Sequence, residues 1–410
     1  MRYLARMSAA TLAKPRLAAT IEAVGAPPIP ACRAWAARYR GGAGPLLDLT
    51  QAVPGYPPHP EFLERLAAAA GSPGVATYGP LEGEAPLRDA LAADLRLSHG
   101  GDVQPEDVSI TAGCNTAFNL AMTAIAAPGD TVLVPTPWFF NHQMALALRG
   151  VAAVPLPCRA AQGFLPDPEQ ARALIGPRVR AIVLVTPNNP TGAVYPPALI
   201  ARFAQLCRDH GLWLVLDETY RDFIAAPVPG DAPTAPHALF AAADWRDFVV
   251  HLYSFSKAYC IPGHRVGAVA AGPAMRDALI KAVDNIQICP PRPPQVALAW
   301  GVPALRDWRA ANRGMIAERA IAFRRAIGQV PGWQVDAIGA YFAYVRLPPE
   351  APEATLLAEW LAAERGLVAL PGSFFAPTGD TSQNRHLRLS FANLDMAGIA
   401  AVAGRLSNAG

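Results

Sequence analysis

The chain has 410 residues, of which 52% are hydrophobic and 16% charged, and a formal net charge of +3. That length predicts two domains with ample apolar material for both cores. The small charge offers no concentrated basic face for nucleic acid, and Pro, Gly or a charge interrupts every apolar run before it could span a membrane.

In chain order, Met1 to Ala23 is basic with no acid before Glu22, and reads as an N-terminal arm or helix. Residues 1–50 are expected to form that arm and part of a smaller domain. From 51 to 290, short β-branched runs alternate with helical stretches, the pattern of an α/β domain with a mainly parallel sheet. The candidate strands are seven: Val108–Thr111, Thr131–Val134, Val151–Leu156, Ala181–Val185, Leu212–Leu216, Phe248–Tyr253 and Val266–Ala270. Ala117–Ala126 and Pro197–His210 read as helices between them. Several strands run straight into polar loops, at Gly113-Cys114-Asn115, Asn188-Asn189, Asp217-Glu218-Thr219-Tyr220 and Ser254-Phe255-Ser256-Lys257. Ligands of open α/β sheets bind outside the carboxyl ends of the strands, so these loops are candidates for one shared site. The Pro-rich stretch Cys289–Pro294 marks a boundary, and 291–410 reads as a smaller α/β domain that opens with a helical region from Gln295 to Ile327.

Cys32, Cys114, Cys158, Cys207, Cys260 and Cys289 stand singly, so no metal or redox dithiol site is indicated and a cytoplasmic location is expected. The most informative segment runs from Tyr253 to Gly267. Lys257 sits there between small hydroxyl residues and a later arginine, just after a strand. A partly desolvated lysine condenses with aldehydes, while Ser254, Ser256 and Arg265 suit a phosphate. Asp217 ends another strand, and a buried carboxylate in that position needs a cation such as a protonated ring nitrogen. Tyr220, three residues on, can donate to an oxygen on the same ring. Thr186-Pro-Asn-Asn-Pro-Thr-Gly192 is a turn that holds Asn189 rigid. The Gly113-Cys114-Asn115 loop opens a helix whose N–H groups suit an anion. Taken singly, each of these has an ordinary structural explanation; their order along one chain does not.

Together these segments resemble the class I/II aminotransferases, the aspartate-aminotransferase-like, fold-type I family of pyridoxal-phosphate enzymes, from about Leu47 to Ser390. The resemblance implies a large domain with a mainly parallel seven-stranded sheet and a smaller α/β domain. It implies that Lys257 holds pyridoxal 5'-phosphate through a Schiff base and moves the substrate proton. Asp217 matches the partner of the pyridine nitrogen, while Tyr220 and Asn189 match the ligands of the ring oxygen. Ser254, Ser256, Arg265 and the Gly113-Cys114-Asn115 loop match the phosphate cup, and Phe139, with Trp138 second, the aromatic that stacks on the ring. Tyr78 matches a tyrosine that reaches the neighbouring subunit's phosphate, which implies a homodimer with shared sites. Arg388 matches the arginine that clamps the substrate α-carboxylate, beside Asn189 and the loop at Ala52.

Two segments depart from the family pattern. Ala52 stands where a glycine is usual, next to Gln51, and Cys114-Asn115 is an uncommon phosphate-loop pair. The expected activity is ping-pong transfer of an amino group from an α-amino acid to a 2-oxo acid, with a lyase, cyclase or amino-acid oxidase on the same scaffold as the alternative. The loop Asn285–Pro290 is apolar where dicarboxylate-specific relatives carry an arginine, which favours a neutral, apolar or aromatic substrate.

Overall fold

The computed structural model describes residues 15–225 and 234–407; the first part of the stretch read as an N-terminal arm lies outside them. Thirteen strands occur among the described residues. In chain order they are β1 Leu47–Asp48, β2 Val108–Thr111, β3 Thr131–Thr136, β4 Ala152–Pro157, β5 Val179–Val185, β6 Trp213–Asp217, β7 Val249–Ser254, β8 Gly267–Ala271, β9 Gln334–Gly339, β10 Phe342–Arg346, β11 Leu367–Val368, β12 Leu370–Pro371 and β13 His386–Ser390.

Strands β2 to β8 form one seven-stranded sheet in the order β2-β8-β7-β6-β5-β3-β4, with β8 antiparallel to its neighbours and the remaining pairs parallel. These are the seven strands expected from the sequence, with ends moved by one or two residues. The central strands β5, β6 and β7 are buried almost throughout, as parallel strands covered by helices on both faces must be. Their carboxyl ends deliver Val185, Asp217 and Ser254 to one edge.

A second, antiparallel sheet has the order β12-β13-β10-β9, and β1 pairs with β11 beside it. In that sheet Arg388 lies opposite both Tyr344 and Leu370. A short N-terminal helix, Pro28–Ala36, packs Cys32 against Val368, Leu370 and Phe375 of this smaller unit.

The Pro-rich stretch begins a helix, Arg292–Ala304, and Ala297, Leu298 and Val302 on it join the large-sheet core. The change of core falls inside the next helix, Arg306–Ile327. Trp308 on its first turn packs on the large core, whereas Ile316, Phe323 and Ile327 fill the smaller one. That helix is the beam between the two units.

Candidate active site

A cavity of about 310 Å³ opens at the carboxyl ends of β5, β6 and β7, between the two sheets. Its walls bring together Ala52, Cys114, Asn115, Phe139, Asn189, Asp217, Tyr220, Ser254, Ser256, Lys257, Arg265 and Arg388. Gly113 stands directly behind Arg265. Trp138, by contrast, is buried in the core on one face of the large sheet. Tyr78 is not in the wall at all: it is 78% exposed on the outer surface.

Lys257 rides on the short helix Phe255–Ala258, which Ser254 caps by accepting the Ser256 N–H at 3.3 Å. Its Nζ donates to the Ala52 carbonyl at 2.7 Å. Burial first, and then the positive charges of Arg388 and Arg265, lower its ammonium from 10.5 to about 8. A lysine so placed gives up its proton close to neutral pH, which a nucleophile or general base requires.

Asp217 lies at the opposite wall. Its Oδ2 is 3.1 Å from His142 Nε2, and its Oδ1 accepts the Thr219 N–H at 3.0 Å. Burial pushes this carboxyl up, but the hydrogen bonds from His142 and Thr219 outweigh it and hold the group below its ordinary range. Asp217 is therefore charged where it lines the cavity. His142 is held in turn by stacking on Phe118, with ring centroids 3.9 Å apart and an interplanar angle of 17°. Sequence reasoning had missed His142, although Phe139 followed three residues later by a histidine on a helix was a usable signal. It also missed Thr219, Ile29, Phe140 and Asn141, all in the same wall.

The next residue, Glu218, points the other way, as alternation along a strand demands. Its Oε2 meets His99 Nε2 at 2.7 Å and His251 Nε2 at 3.0 Å, and its Oε1 faces His237 Nε2 at 3.6 Å. Since His237 Nδ1 accepts the Leu239 N–H, the proton of the neutral ring sits on Nε2 and is directed at the acid. Burial would raise the Glu218 carboxyl, but these histidines hold it well below its ordinary range.

Two sites for negative charge complete the cavity. At one, Gly113 adopts φ +92 as the cap of the helix Cys114–Ile125, whose first N–H groups lack helical partners. A Cβ on Gly113 would run into the Arg265 guanidinium, so glycine is needed both for the backbone and for the space. At the other, Arg388 is buried with no carboxylate partner among the described residues. It donates to Asn189 Oδ1 at 3.2 Å and to the Thr50 carbonyl, and its Nε has no partner. Burial lowers its ordinarily very high value to about 10. A buried guanidinium without a counter-ion is costly, and a ligand carboxylate would relieve that cost.

Residues 45–406 match the family of class I and II aminotransferases. The chain belongs to that family. This aminotransferase is 30% identical over 354 residues to a probable aspartate/prephenate aminotransferase of Thermus aquaticus, covering 85% of this chain and 87% of the relative. It is 31% identical to a valine–pyruvate aminotransferase of Mycobacterium tuberculosis, over 90% and 92% of the two chains. An aspartate aminotransferase double mutant from Thermus thermophilus superposes with a TM-score of 0.86 at 26% identity, covering 97% of this chain and 100% of the other. The family depends on pyridoxal phosphate, so this is a pyridoxal-phosphate-dependent aminotransferase, and the lyase, cyclase and oxidase alternatives are not favoured. The residues present fit that cofactor: an amine of lowered basicity, a charged acid across the cavity, and a glycine-opened helix beside a guanidinium.

Proposed function

We propose that this aminotransferase takes its amino group from a neutral α-amino acid with an apolar or aromatic side chain. The supporting observation is the charge inventory of the cavity. Among the described residues its only charged lining residues are Asp217, Lys257, Arg265 and Arg388. On this reading Arg265 serves the phosphate and Arg388 the α-carboxylate, which leaves no cation among the described lining residues for a second carboxylate. The rest of the substrate end is Ile29, Val53 and Phe140 with the amides of Gln51 and Asn141.

Pyridoxal phosphate, when bound, supplies the electron sink that acidifies the substrate α-carbon and carries the amino group between half-reactions. Asp217 would hold its ring nitrogen, Tyr220 and Asn189 its ring oxygen, and Ser254, Ser256, Arg265 and the Gly113-Cys114-Asn115 loop its phosphate. Phe139 would cover the ring. Arg388 grips the α-carboxylate in a planar fork and thereby turns the α-hydrogen toward Lys257. Lys257 Nζ then takes that proton and returns it, as an amine of lowered basicity does well near neutral pH. Because a 2-oxo acid presents the same carboxylate, Arg388 serves both halves of the ping-pong cycle.

The same reading includes a cytoplasmic homodimer. Tyr78, Ile286 and Ile288 are 78%, 57% and 44% exposed, and the Gly79 N–H ties their segments together through Cys289 Sγ at 3.4 Å. So much apolar surface around one contact is what a second copy would cover, and it would carry Tyr78 to the neighbour's phosphate. Among the described residues no helix is long and apolar enough to cross a membrane.

The test is to supply single amino acids without oxo acid and measure the 2-oxo acid released. Methionine, phenylalanine or tryptophan should each give up one amino group per site. Rapid turnover of aspartate or glutamate, with none of those three, would overturn the substrate reading.

A further inference from the structure

A second pocket is lined by a largely buried set of charges that the reaction itself does not use. Arg309, on the first turn of the beam helix Arg306–Ile327, reaches Asp222 Oδ1 at 2.6 Å and Asp94 Oδ1 at 2.8 Å. Asp94 is also held by Arg221 at 2.5 Å, and Asp222 accepts the Tyr253 hydroxyl at 2.7 Å. The Arg221 guanidinium lies over the Tyr253 ring, and that of Arg309 over Tyr259. Two arginines and two acids thus balance at the largely buried wall of that pocket, where removing a single partner leaves a charge uncompensated.

A cation on the first turn of a helix meets the positive end of the helix dipole, so Arg309 is unfavourable there unless acids hold it. What those acids belong to is informative. Asp222 follows Asp217 and Tyr220 by a few residues, Tyr253 immediately precedes Ser254, and Asp94 lies on the helix Ala85–His99 of the large unit. The far end of the beam is embedded in the smaller core through Ile316, Phe323 and Ile327. That core also packs the strand carrying Arg388, through Leu387 and Leu389. Arg309 is accordingly a polar point at which the beam is fastened to the loops that present the large unit's share of the cavity.

We propose that Arg309 is a positioning residue that sets the separation between Arg388 on the smaller unit and Lys257 on the larger. The inference rests on the reading of Arg388 as the carboxylate anchor and Lys257 as the group that meets the α-carbon. An amino acid must satisfy both anchors at once, and a misplacement on the order of 1 Å can cost about a hundredfold. A carboxylate without the amino group needs only Arg388.

The experiment compares wild type, Arg309→Gln, the charge-balanced double variant Asp222→Asn/Arg309→Gln, and Arg388→Lys. Three quantities are read: kcat/KM for a productive amino acid, affinity for the non-reactive carboxylate 3-phenylpropanoate, and affinity for pyridoxal phosphate by absorbance titration. Both Arg309 variants should lose roughly tenfold to a hundredfold in kcat/KM, with affinity for 3-phenylpropanoate and for the cofactor unchanged. Should Arg309→Gln alone fail to fold, the double variant, which leaves no unpaired acid, carries the test. Parallel loss of all three quantities would mean general damage, and no loss would mean that the latch is idle; either result overturns the proposal. Arg388→Lys should weaken both the amino acid and 3-phenylpropanoate. If it weakens neither, the carboxylate-anchor reading fails rather than the latch.

Discussion

Lys257 puts a measurable strain on the cofactor-free protein. Its ammonium falls from 10.5 to about 8 through burial and the charges of Arg388 and Arg265, and each unit is worth about 1.4 kcal/mol. Forcing the proton onto this side chain at neutral pH therefore costs roughly 3 kcal/mol of folding free energy. The sign follows from proton counting. Between about 8 and 10.5 the unfolded chain binds the proton and the folded chain does not, so stability rises with pH across that window. Below about 8 the full deficit is present. Replacing Lys257 with Met keeps the apolar stem and removes the charge. Cofactor-free Lys257→Met should be more stable than cofactor-free wild type by roughly 3 kcal/mol at pH 7, and the gap should close toward pH 10.5. Urea unfolding at a series of pH values measures this directly. A gap that is absent at pH 7, or that does not change with pH, would show that Lys257 keeps an ordinary basicity and would remove the argument for its reactivity.

Two further outcomes test the anion sites. Arg388→Lys should raise the KM for the amino acid by roughly a hundredfold, because an ammonium cannot reproduce the planar fork, while cofactor affinity measured by absorbance stays the same; equal loss of both would remove Arg388 from substrate binding. Gly113→Ala should weaken cofactor binding at least about tenfold, since its Cβ meets the Arg265 guanidinium and its φ of +92 is strained for alanine. Unchanged affinity by absorbance titration would mean that the loop does not hold the phosphate.

Much of this architecture was legible in the chain. The strands could be read because β-branched runs such as Val179–Val185 are buried on both faces and stop at polar loops. The groups at those loops could be read because their chemistry is specific: a lysine just after two serines, and an acid at a strand end. What escaped were partners contributed by remote segments. His142 lies in an aromatic-rich stretch that reads as core, where its spacing from Phe139 was the one signal, and the fold brings it to Asp217. Asp94 and Arg309 look like ordinary helix-surface charges until both prove to be buried. The Pro-rich stretch suggested a change of domain, but proline is well tolerated in the first turn of a helix, and Arg292–Ala304 begins there without leaving the large core.

The two ends of the cavity differ in how their charges are supported. Asp217 has an internal donor in His142, so the polypeptide alone keeps that acid ionised and oriented. Among the described residues Arg388 has only neutral acceptors, Asn189 and the Thr50 carbonyl. The acid wall is a finished part of the fold, whereas the arginine wall has a counter-ion only if a carboxylate comes from outside the described residues. If Arg388 anchors the substrate as proposed, small carboxylates in ordinary buffers, acetate or citrate among them, will compete with the amino acid there and leave Asp217 untouched, so the choice of buffer is itself a variable in any kinetic comparison of this enzyme's substrates.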